Sequence, residues 1–372
     1  MKLGILCTMI NGFGRRGYYN SQEIGLGRAL ARKGHEVMIY KGIDPSEKEE
    51  KVQVEKNLTI WYLPMKHLGA HGFMDCKNLD PQLKALFCFG DQQIFLPHVY
   101  RWCRRRRIPF VAYVGTAHSL DSNFKSKVMN ALFAAGTLRI YKKNPVLAKT
   151  SAAKEELRQL GIPHAVIAPV GLDNAVLKKN TPAVEKMRLR KEHGFEADDV
   201  ILCNVSRLSW EKRPLELIDL FLQVKGKKKF KLIIVGNGPL EEELNEKIRK
   251  NGLEKEVKIY PNVPYEKMWE IYEMSDYYLN MNKGEIFGMA IMEAVYYKTS
   301  VAAIRALGPS VTLKDMKGHK LCENDDEMAE WITGPYPSEK DLQESSEKMA
   351  ATFTWDRCAD AFLQASSEKS SR

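Results

Sequence analysis

Lys283-Gly284-Glu285-Ile286-Phe287-Gly288-Met289-Ala290-Ile291-Met292-Glu293-Ala294 is the stretch that decides the fold of this chain. It follows the apolar run 276–281, which predicts a short buried strand. Gly284 and Gly288 predict a turn, and the good helix formers from Met289 onward predict a helix. The stretch therefore predicts a strand, a glycine-bounded loop and a helix in succession.

Two carboxylates mark this unit. Glu285 lies on the predicted loop, and Glu293 lies about two turns into the predicted helix. Because helical side chains lean toward the N-terminus, we expect Glu293 to point back toward Glu285. Backbone amides at a helix start attract anions, but two carboxylates repel a bare phosphate and suit the hydroxyls of a sugar or a ribose instead. The alternative is that both are ordinary solvated glutamates.

Composition limits the class of protein. A chain of 372 residues predicts two domains, and 44% hydrophobic with 28% charged residues is typical of a soluble globular protein. No apolar run reaches the roughly 18–20 residues that span a bilayer, and the N-terminus lacks a secretory pattern. The seven cysteines form no C-x-x-C pair and no zinc spacing. These features predict a cytoplasmic protein and give no signal for a zinc site.

The net charge of +10 is unevenly distributed along the chain. Residues 1–180 hold 28 Lys+Arg and 14 Asp+Glu, whereas residues 181–372 hold 29 and 33. The basic first half contains the dense cluster 101–107. Further on, the apolar stretch 128–133 is flanked by cations at 125, 127, 139, 142 and 143. An apolar stripe between cations can lie on a membrane surface, so docking on an anionic membrane from the cytoplasmic side is one hypothesis. An ordinary solvated basic face is the alternative. No aromatic-rich signature accompanies the cluster, so nucleic acid is not an expected partner.

The order of the predicted elements indicates a doubly wound parallel sheet. The elements of the first half are strands at 2–9, 36–40, 58–63, 110–114, 145–148 and 165–168 and helices at 22–33 and 94–106. Those of the second half are strands at 200–205, 257–260, 276–281 and 299–304, a strand that begins at 230 and ends in a Gly-Pro turn at 238–239, and helices at 241–250 and from 215 and 289 onward.

Gly12-x-Gly14-x-x-Gly17 matches the dinucleotide-binding pattern and raises the alternative of an NAD-dependent dehydrogenase. Two features weigh against that alternative. Residues 9–11 separate the predicted strand from the first glycine, and the second strand ends in Tyr40-Lys41-Gly42 without the acid that holds a ribose. A glycine-rich loop above a helix can still approach a phosphate closely.

A second pair of charges follows the strand 200–205. Arg207 and Lys212 lie five residues apart on a loop that leads into a helix. Two cations beside a helix N-terminus can hold a diphosphate, with arginine giving a forked contact and lysine a point charge. Without a metal, they can also stabilise the charge on a departing diphosphate. The alternative is a surface loop with incidental cations.

Several of these segments resemble family 4 glycosyltransferases, which have the GT-B fold. Glu285 and Glu293 match the E-x7-E motif, and 206–212 is similar to the segment GRL-x-x-E-K, with Ser206 for the usual glycine. Residues 353–359 resemble the closing helix of that family. The resemblance implies an α/β fold of two Rossmann-like, doubly wound domains with an interdomain cleft. It implies an acceptor-binding domain at 1–180, a nucleotide-sugar domain at 181–352, and a C-terminal crossover helix and tail at 353–372.

The resemblance also implies roles for individual residues. Arg207 and Lys212 would hold the diphosphate, Glu293 the ribose, and Glu285 the hydroxyls of the donor sugar. The other implied donor contacts are Val263 near the nucleobase, Phe287 and Gly288 after the first acid, His118 near the donor sugar, and Gly12 and Gly14 on the N-terminal loop. The implied catalytic residues are Glu285, His118, Arg207 and Lys212.

The implied activity is retaining transfer of a sugar from a UDP- or GDP-sugar to a hydroxyl acceptor. The expected acceptor is a glycan or a lipid-linked intermediate of cell-surface polysaccharide synthesis. No cofactor and no metal are implied, and the family is usually assigned front-face displacement with the leaving phosphate as base. The alternatives are a nucleotide-sugar epimerase on the same scaffold and a non-catalytic binding protein.

Overall fold

The computed structural model describes residues 1–10, 21–117, 124–173, 177 and 183–368. Within these ranges the chain forms two compact units. The first unit contains the described residues up to Asp173 together with 353–368, and the second contains Leu177 and 183–352. Each unit has its own parallel sheet and its own hydrophobic core. The predicted α/β architecture with two doubly wound domains is confirmed.

The first unit is built around one large sheet. Its described strands are β1 (Lys2–Cys7), β2 (Glu36–Ile43), β3 (Glu50–Glu55), β4 (Leu58–Pro64), β5 (His67–Leu68), β6 (His71–Gly72), β7 (Ala85–Phe89), β8 (Phe110–Val114), β9 (Val146–Ala148) and β10 (Val166–Ile167). The sheet has the order β10-β9-β8-β7-β1-β2-β4-β3, and β5 and β6 form a separate antiparallel pair. The strand order reverses between β1 and β7. Strands β2, β4 and β3 continue the sheet on the side of β1, and strands β8, β9 and β10 continue it on the side of β7.

The second unit repeats this plan on a smaller scale. Its described strands are β11 (Val200–Val205), β12 (Phe230–Val235), β13 (Val257–Tyr260), β14 (Tyr277–Asn280), β15 (Ser300–Ile304) and β16 (Lys320–Cys322). The order is β13-β12-β11-β14-β15-β16, and all pairs are parallel. This sheet reverses its order between β11 and β14. Such a reversal is the place at which open α/β sheets bind ligands.

Helices connect the strands in both units. The described helices are α1 (Gln22–Arg32), α2 (Leu96–Arg105), α3 (Phe124–Ala135), α4 (Thr137–Tyr141), α5 (Ser151–Gln159), α6 (Ala183–Glu192), α7 (Pro214–Val224), α8 (Glu241–Lys250), α9 (Met268–Met274), α10 (Met289–Tyr296), α11 (Leu307–Thr312), α12 (Asp325–Thr333), α13 (Glu339–Thr352) and α14 (Trp355–Glu368). Among these, no helix combines the length and the apolar character that crossing a bilayer requires.

The structure corrects three details of the predicted sheet. β7 was not predicted, although residues 85–89 form a continuous apolar run before Gly90. The first sheet is not wholly parallel, because the edge strand β3 pairs antiparallel with β4. The first strand ends at Cys7 rather than at residue 9. β3 escaped prediction because an edge strand with charged residues gives only a weak alternation of apolar side chains.

The segment after the second unit packs against the first. Trp355 is fully buried, and a Cβ atom at Gly25 of α1 would lie 2.2 Å from its Nε1 atom. Only glycine therefore permits α1 and α14 to approach this closely. The Leu172 amide donates to the Phe353 carbonyl over 2.9 Å and joins the same segment to the end of the first unit.

Candidate functional site

The reversal of strand order in the second sheet positions the candidate site. β11 and β14 are neighbours there, and both present their carboxyl ends at one edge of the sheet. Arg207 and Lys212 follow β11, whereas Asn282 and Glu285 follow β14. The predicted cations and the first predicted acid are thus brought to the same edge by the topology alone.

The loop after β11 is fixed through its backbone. The Ser206 amide donates to the Val235 carbonyl over 3.0 Å, and the Leu208 amide donates to the Asn237 carbonyl over 2.9 Å. Leu208 is fully buried and anchors the loop, whereas Arg207 beside it is exposed. Within the described residues no ion pair includes Arg207. The loop therefore presents one arginine side chain to solvent from a rigid backbone.

Lys212 and Glu285 meet in an ion pair. Lys212 ends the 3₁₀ turn Trp210–Lys212, and its Nζ lies 2.9 Å from Oε2 of Glu285. The Nδ2 amide of Asn282 donates to the same oxygen over 3.0 Å. Burial opposes ionisation of Glu285, but the Lys212 ammonium and the asparagine side chains outweigh it and hold the carboxyl pKa below its usual value. Glu285 is therefore an ionised hydrogen-bond acceptor at neutral pH.

Two asparagines shape the loop that carries Glu285. Asn280 Oδ1 accepts from the Asn282 amide over 3.1 Å, and Asn282 Oδ1 accepts from the Gly284 amide over 2.9 Å. Both asparagines are buried. The sequence prediction missed them, although asparagines at the carboxyl end of a buried strand are a usable signal for side-chain-capped turns.

Gly288 turns this loop into α10. Its φ of +85° is in the left-handed region, where a side chain is strained, and it is the residue that caps the helix. Phe287 before it is buried, and the Gly308 amide donates to the Glu285 carbonyl over 2.8 Å. The amides at the start of α10 are therefore held in a loop that is anchored on both sides.

Glu293 has its own partners in the second unit. The hydroxyl of Tyr265 donates to Oε1 over 3.1 Å, and the hydroxyl of Tyr272 donates to Oε2 over 2.8 Å. Glu293 is buried and lines a cavity of about 150 Å³ together with Trp269 and Tyr297. Burial, reinforced by the Glu293 charge, raises the pKa of Tyr272 well above its usual value, so this phenol stays a donor. Sequence reasoning missed both tyrosines.

The Tyr278 phenol is affected by the charges of both Glu285 and Glu293. Burial raises the pKa of Tyr278, and the charges of Glu285 and then Glu293 add to that rise. The hydroxyl of Tyr278, on β14, donates to the Val205 carbonyl over 3.4 Å. The structure does not pair the two acids directly, because Glu285 is held by Lys212 and Asn282 whereas Glu293 is held by tyrosines.

The remaining predicted residues fall into two groups. Val263 is half-buried in the loop after β13, where the Asn237 Nδ2 amide donates to Pro261 and Asn262 oxygens, each over 3.0 Å. His118, Gly12 and Gly14 lie outside the described residues. Among the described side chains, no cluster of three or more His, Cys, Asp or Glu residues is arranged to hold a metal ion.

Comparisons with known proteins show which sequences this chain is similar to. Residues 185–348 match the family model described as "Glycosyl transferases group 1". An uncharacterized glycosyltransferase of Methanocaldococcus jannaschii is 22% identical over 291 residues, covering 74% of each chain. The alpha-monoglucosyldiacylglycerol synthase of Acholeplasma laidlawii is 21% identical over 295 residues, covering 73% of each chain.

Two solved structures share the fold along almost the whole chain. Sucrose-phosphate synthase from Thermosynechococcus elongatus has a TM-score of 0.74 at 14% identity, covering 99% of this chain and 98% of that one. Anabaena HepE in complex with UDP and glucose has a TM-score of 0.70 at 16% identity, covering 99% of this chain and 100% of that one. The chain therefore has the GT-B fold. The match to the family model and the named relatives support a transferase enzyme.

Proposed function

We propose that the second unit binds a UDP- or GDP-sugar and that the enzyme transfers the sugar to a hydroxyl acceptor with retention. The observation that carries this proposal is the Lys212–Glu285 pair, 2.9 Å apart at the reversal of strand order. It places a cation for phosphate and an ionised carboxylate for sugar hydroxyls side by side. Neither side chain is fully buried, so a ligand can reach both.

The charges suggest how the bond is broken. When the bond between the sugar and the diphosphate breaks, negative charge develops on the leaving phosphate. Arg207 and Lys212, with the first amides of α10, would stabilise that charge. The acceptor oxygen would form the new bond on the same face of the sugar and pass its proton to the leaving phosphate. Glu285 would orient the sugar through its hydroxyls, and we propose that no metal takes part.

The nucleoside would occupy the neighbouring part of the second unit. Glu293, held by Tyr265 and Tyr272, is an acceptor for ribose hydroxyls, and the backbone at Val263 would face the base. The solved complex of HepE contains UDP, which supports a uridine donor. Phe287 and Gly288 would border the diphosphate. His118, Gly12 and Gly14 remain proposed contacts of the first unit through the resemblance alone.

Ligand-dependent melting of the full chain tests the donor. We would compare UDP, GDP, ADP, CMP and NADH on the wild type, on Arg207→Ala and on the control Arg249→Ala, which removes an exposed arginine from α8. A ligand at about 100 times its Kd adds roughly 2.7 kcal/mol to the free energy of unfolding. We expect one nucleoside diphosphate to raise the melting temperature of the wild type and the control but not of Arg207→Ala.

Other outcomes separate the rival functions. A shift with NADH alone would overturn the proposal in favour of a dehydrogenase. Conversion of a nucleotide sugar in the absence of any acceptor would indicate an epimerase, and binding without turnover would indicate a non-catalytic protein. Loss of transfer after EDTA treatment, restored by a divalent cation, would contradict the metal-free mechanism.

We also propose that the acceptor is lipid-linked and is met at an anionic membrane surface. The A. laidlawii relative is named for a diacylglycerol product, which supports a lipid acceptor. In the first unit, α3 exposes Val128 and Leu132, at 42% and 48%. Arg139, Lys142 and Lys143 follow on and after α4, are exposed, and form no ion pair with other described residues. Apolar side chains beside unpaired cations suit anionic lipid.

Liposome flotation tests this surface. We expect the wild type to float with vesicles that contain anionic lipid but not with neutral vesicles. The variant Val128→Ser/Leu132→Ser should float less, whereas Met187→Ser, which changes an exposed methionine of α6, should behave as the wild type. Equal and negligible recovery with both kinds of vesicle would remove the membrane proposal and leave glycosyl transfer untouched.

A further inference from the structure

Arg213 has an unusual backbone for an arginine. Its φ is +54° and its ψ is +49°, in the left-handed region that favours glycine. It ends the 3₁₀ turn that carries Lys212 and at the same time precedes Pro214, the first residue of α7. Its side chain makes no capping hydrogen bond to that helix. The backbone conformation and the helix cap therefore give no reason for an arginine here.

The guanidinium group explains the residue. Its Nη1 and Nη2 atoms donate to Oδ1 and Oδ2 of Asp325 over 3.0 and 2.7 Å, which is a forked contact. Nη1 also donates to the Met281 carbonyl over 3.4 Å, and Nε donates to Glu216 over 3.3 Å. The guanidinium side chain is only 15% exposed, and these contacts raise its pKa further.

These contacts join three separate segments around the candidate site. Arg213 directly follows Lys212, Met281 directly precedes Asn282 of the Glu285 loop, and Asp325 is the first residue of α12. The guanidinium therefore connects the end of the cation-bearing loop to the start of the carboxylate-bearing loop. The backbone contacts described above fix each loop separately, whereas the Arg213 guanidinium contacts both.

We infer that Arg213 is a positioning residue, which sets the separation between Lys212 and Glu285 by bracing their loops against Asp325. The inference rests on the proposed function of that pair. From this left-handed backbone the side chain reaches both Met281 and Asp325. Arg213 itself contacts neither the diphosphate nor the sugar in this scheme.

Arg213→Gly separates this role from a merely structural one. Glycine accepts the left-handed backbone without strain, which offsets the loss of the ion pair, so we expect the melting temperature to stay within about 4 °C of the wild type. We expect kcat for sugar transfer to fall roughly tenfold or more, because misplaced catalytic groups are costly. Asp325→Asn should also lower kcat. Arg188→Gln, which removes an exposed ion pair from α6, should change neither kcat nor the melting temperature.

A double-mutant cycle supplies the decisive readout. In a Lys212→Met background, Arg213→Gly should change kcat by less than about twofold, because the group that it positions is already absent. Full additivity, or an unchanged kcat in Arg213→Gly alone, would overturn the inference. If the wild type transfers no sugar from any nucleotide donor, the proposed function fails. The inference is then tested on binding, where Arg213→Gly should weaken the shift produced by the nucleoside diphosphate, and an unchanged shift would overturn it.

Discussion

The side chains that meet where the strand order reverses differ in exposure between the two sheets. In the second unit, β11 and β14 meet at Lys212 and Glu285, whose side chains are 24% and 15% exposed. In the first unit, Thr8 after β1 donates to Gln93 after β7 over 3.0 Å, and both are 2% exposed. Of these two pairs, the charged pair of the second unit is partly exposed and the polar pair of the first unit is buried.

The first unit also contains a buried ion pair, which lies beside the end of β1. Lys41 of β2 lies 2.8 Å from Glu23 of α1, and the side chains are 5% and 1% exposed. Burial opposes ionisation of Glu23, but the Lys41 ammonium outweighs it and lowers the carboxyl pKa. Lys41 also donates to Cys7 over 3.5 Å. This lysine–glutamate pair is almost fully buried, whereas the Lys212–Glu285 pair is partly exposed and can exchange partners.

The sharpest test of this contrast removes the buried cation. Lys41→Met leaves Glu23 as an uncompensated buried charge, so we expect the free energy of unfolding to fall by about 3–5 kcal/mol. Urea denaturation at neutral pH measures it. Lys41→Met/Glu23→Leu should recover most of the loss, because an apolar pair can replace a buried ion pair. A small effect of the single variant would show that the two pairs do not differ in kind.

The second test removes the accessible cation. Lys212→Met should change the free energy of unfolding by no more than about 1 kcal/mol, since a partly exposed pair contributes little. Sugar transfer should nevertheless fall by about 10²–10³ in kcat, comparable to the loss of one donor to a developing oxyanion. Steady-state kinetics and urea denaturation on the same preparation measure both. A large loss of stability with normal transfer would reverse the roles assigned to the two pairs.

The third test concerns the hydroxyls that hold Glu293. Tyr272→Phe removes the donor at 2.8 Å and should weaken nucleoside diphosphate binding by about 1–2 kcal/mol, because Glu293 loses one of the groups that orient it. Isothermal titration calorimetry measures the change. Tyr336→Phe is a suitable control, since its hydroxyl donates to the Asp276 carbonyl away from Glu293. Equal affinities for Tyr272→Phe and wild type would exclude Tyr272 from nucleotide binding.

The smallest expected effect is a pH dependence. The pKa of Glu285 is lowered in the folded chain, so its stabilising contribution is present above the unfolded value of 4.5 and is lost as pH falls through the folded value. The difference in unfolding free energy between wild type and Glu285→Gln, about 1 kcal/mol at pH 7, should shrink on acidification. Urea denaturation between pH 7 and 3.5 measures it. A difference that grows in acid would contradict an ionised Glu285 in the folded state.

Local patterns predicted most elements of the fold. Periodicity and glycine placement predicted β8, β13 and α8 with their observed bounds. Among the described strands, they missed β7, the antiparallel β3, the short pair β5 and β6, and β16. The partners of the candidate site were the hardest to predict, because Lys212 meets Glu285 across 73 positions and Arg213 meets Asp325 across 112. No local pattern encodes such contacts, so the tyrosines of Glu293 and the brace at Arg213 emerge only from the folded chain.

The packing of α14 against α1 has a consequence for synthesis. The second unit is continuous in the described sequence from 183 to 352, whereas the first unit needs Trp355 and the residues that follow it. On the ribosome, the second unit therefore has all its residues before the first does. The surface of α1 at Gly25, which Trp355 covers in the folded chain, stays uncovered until a segment more than 300 residues later has been translated. Nascent chains that stall after residue 352 but before α14 is made would expose apolar surface of the first unit. They would depend on chaperones until α14 has been translated.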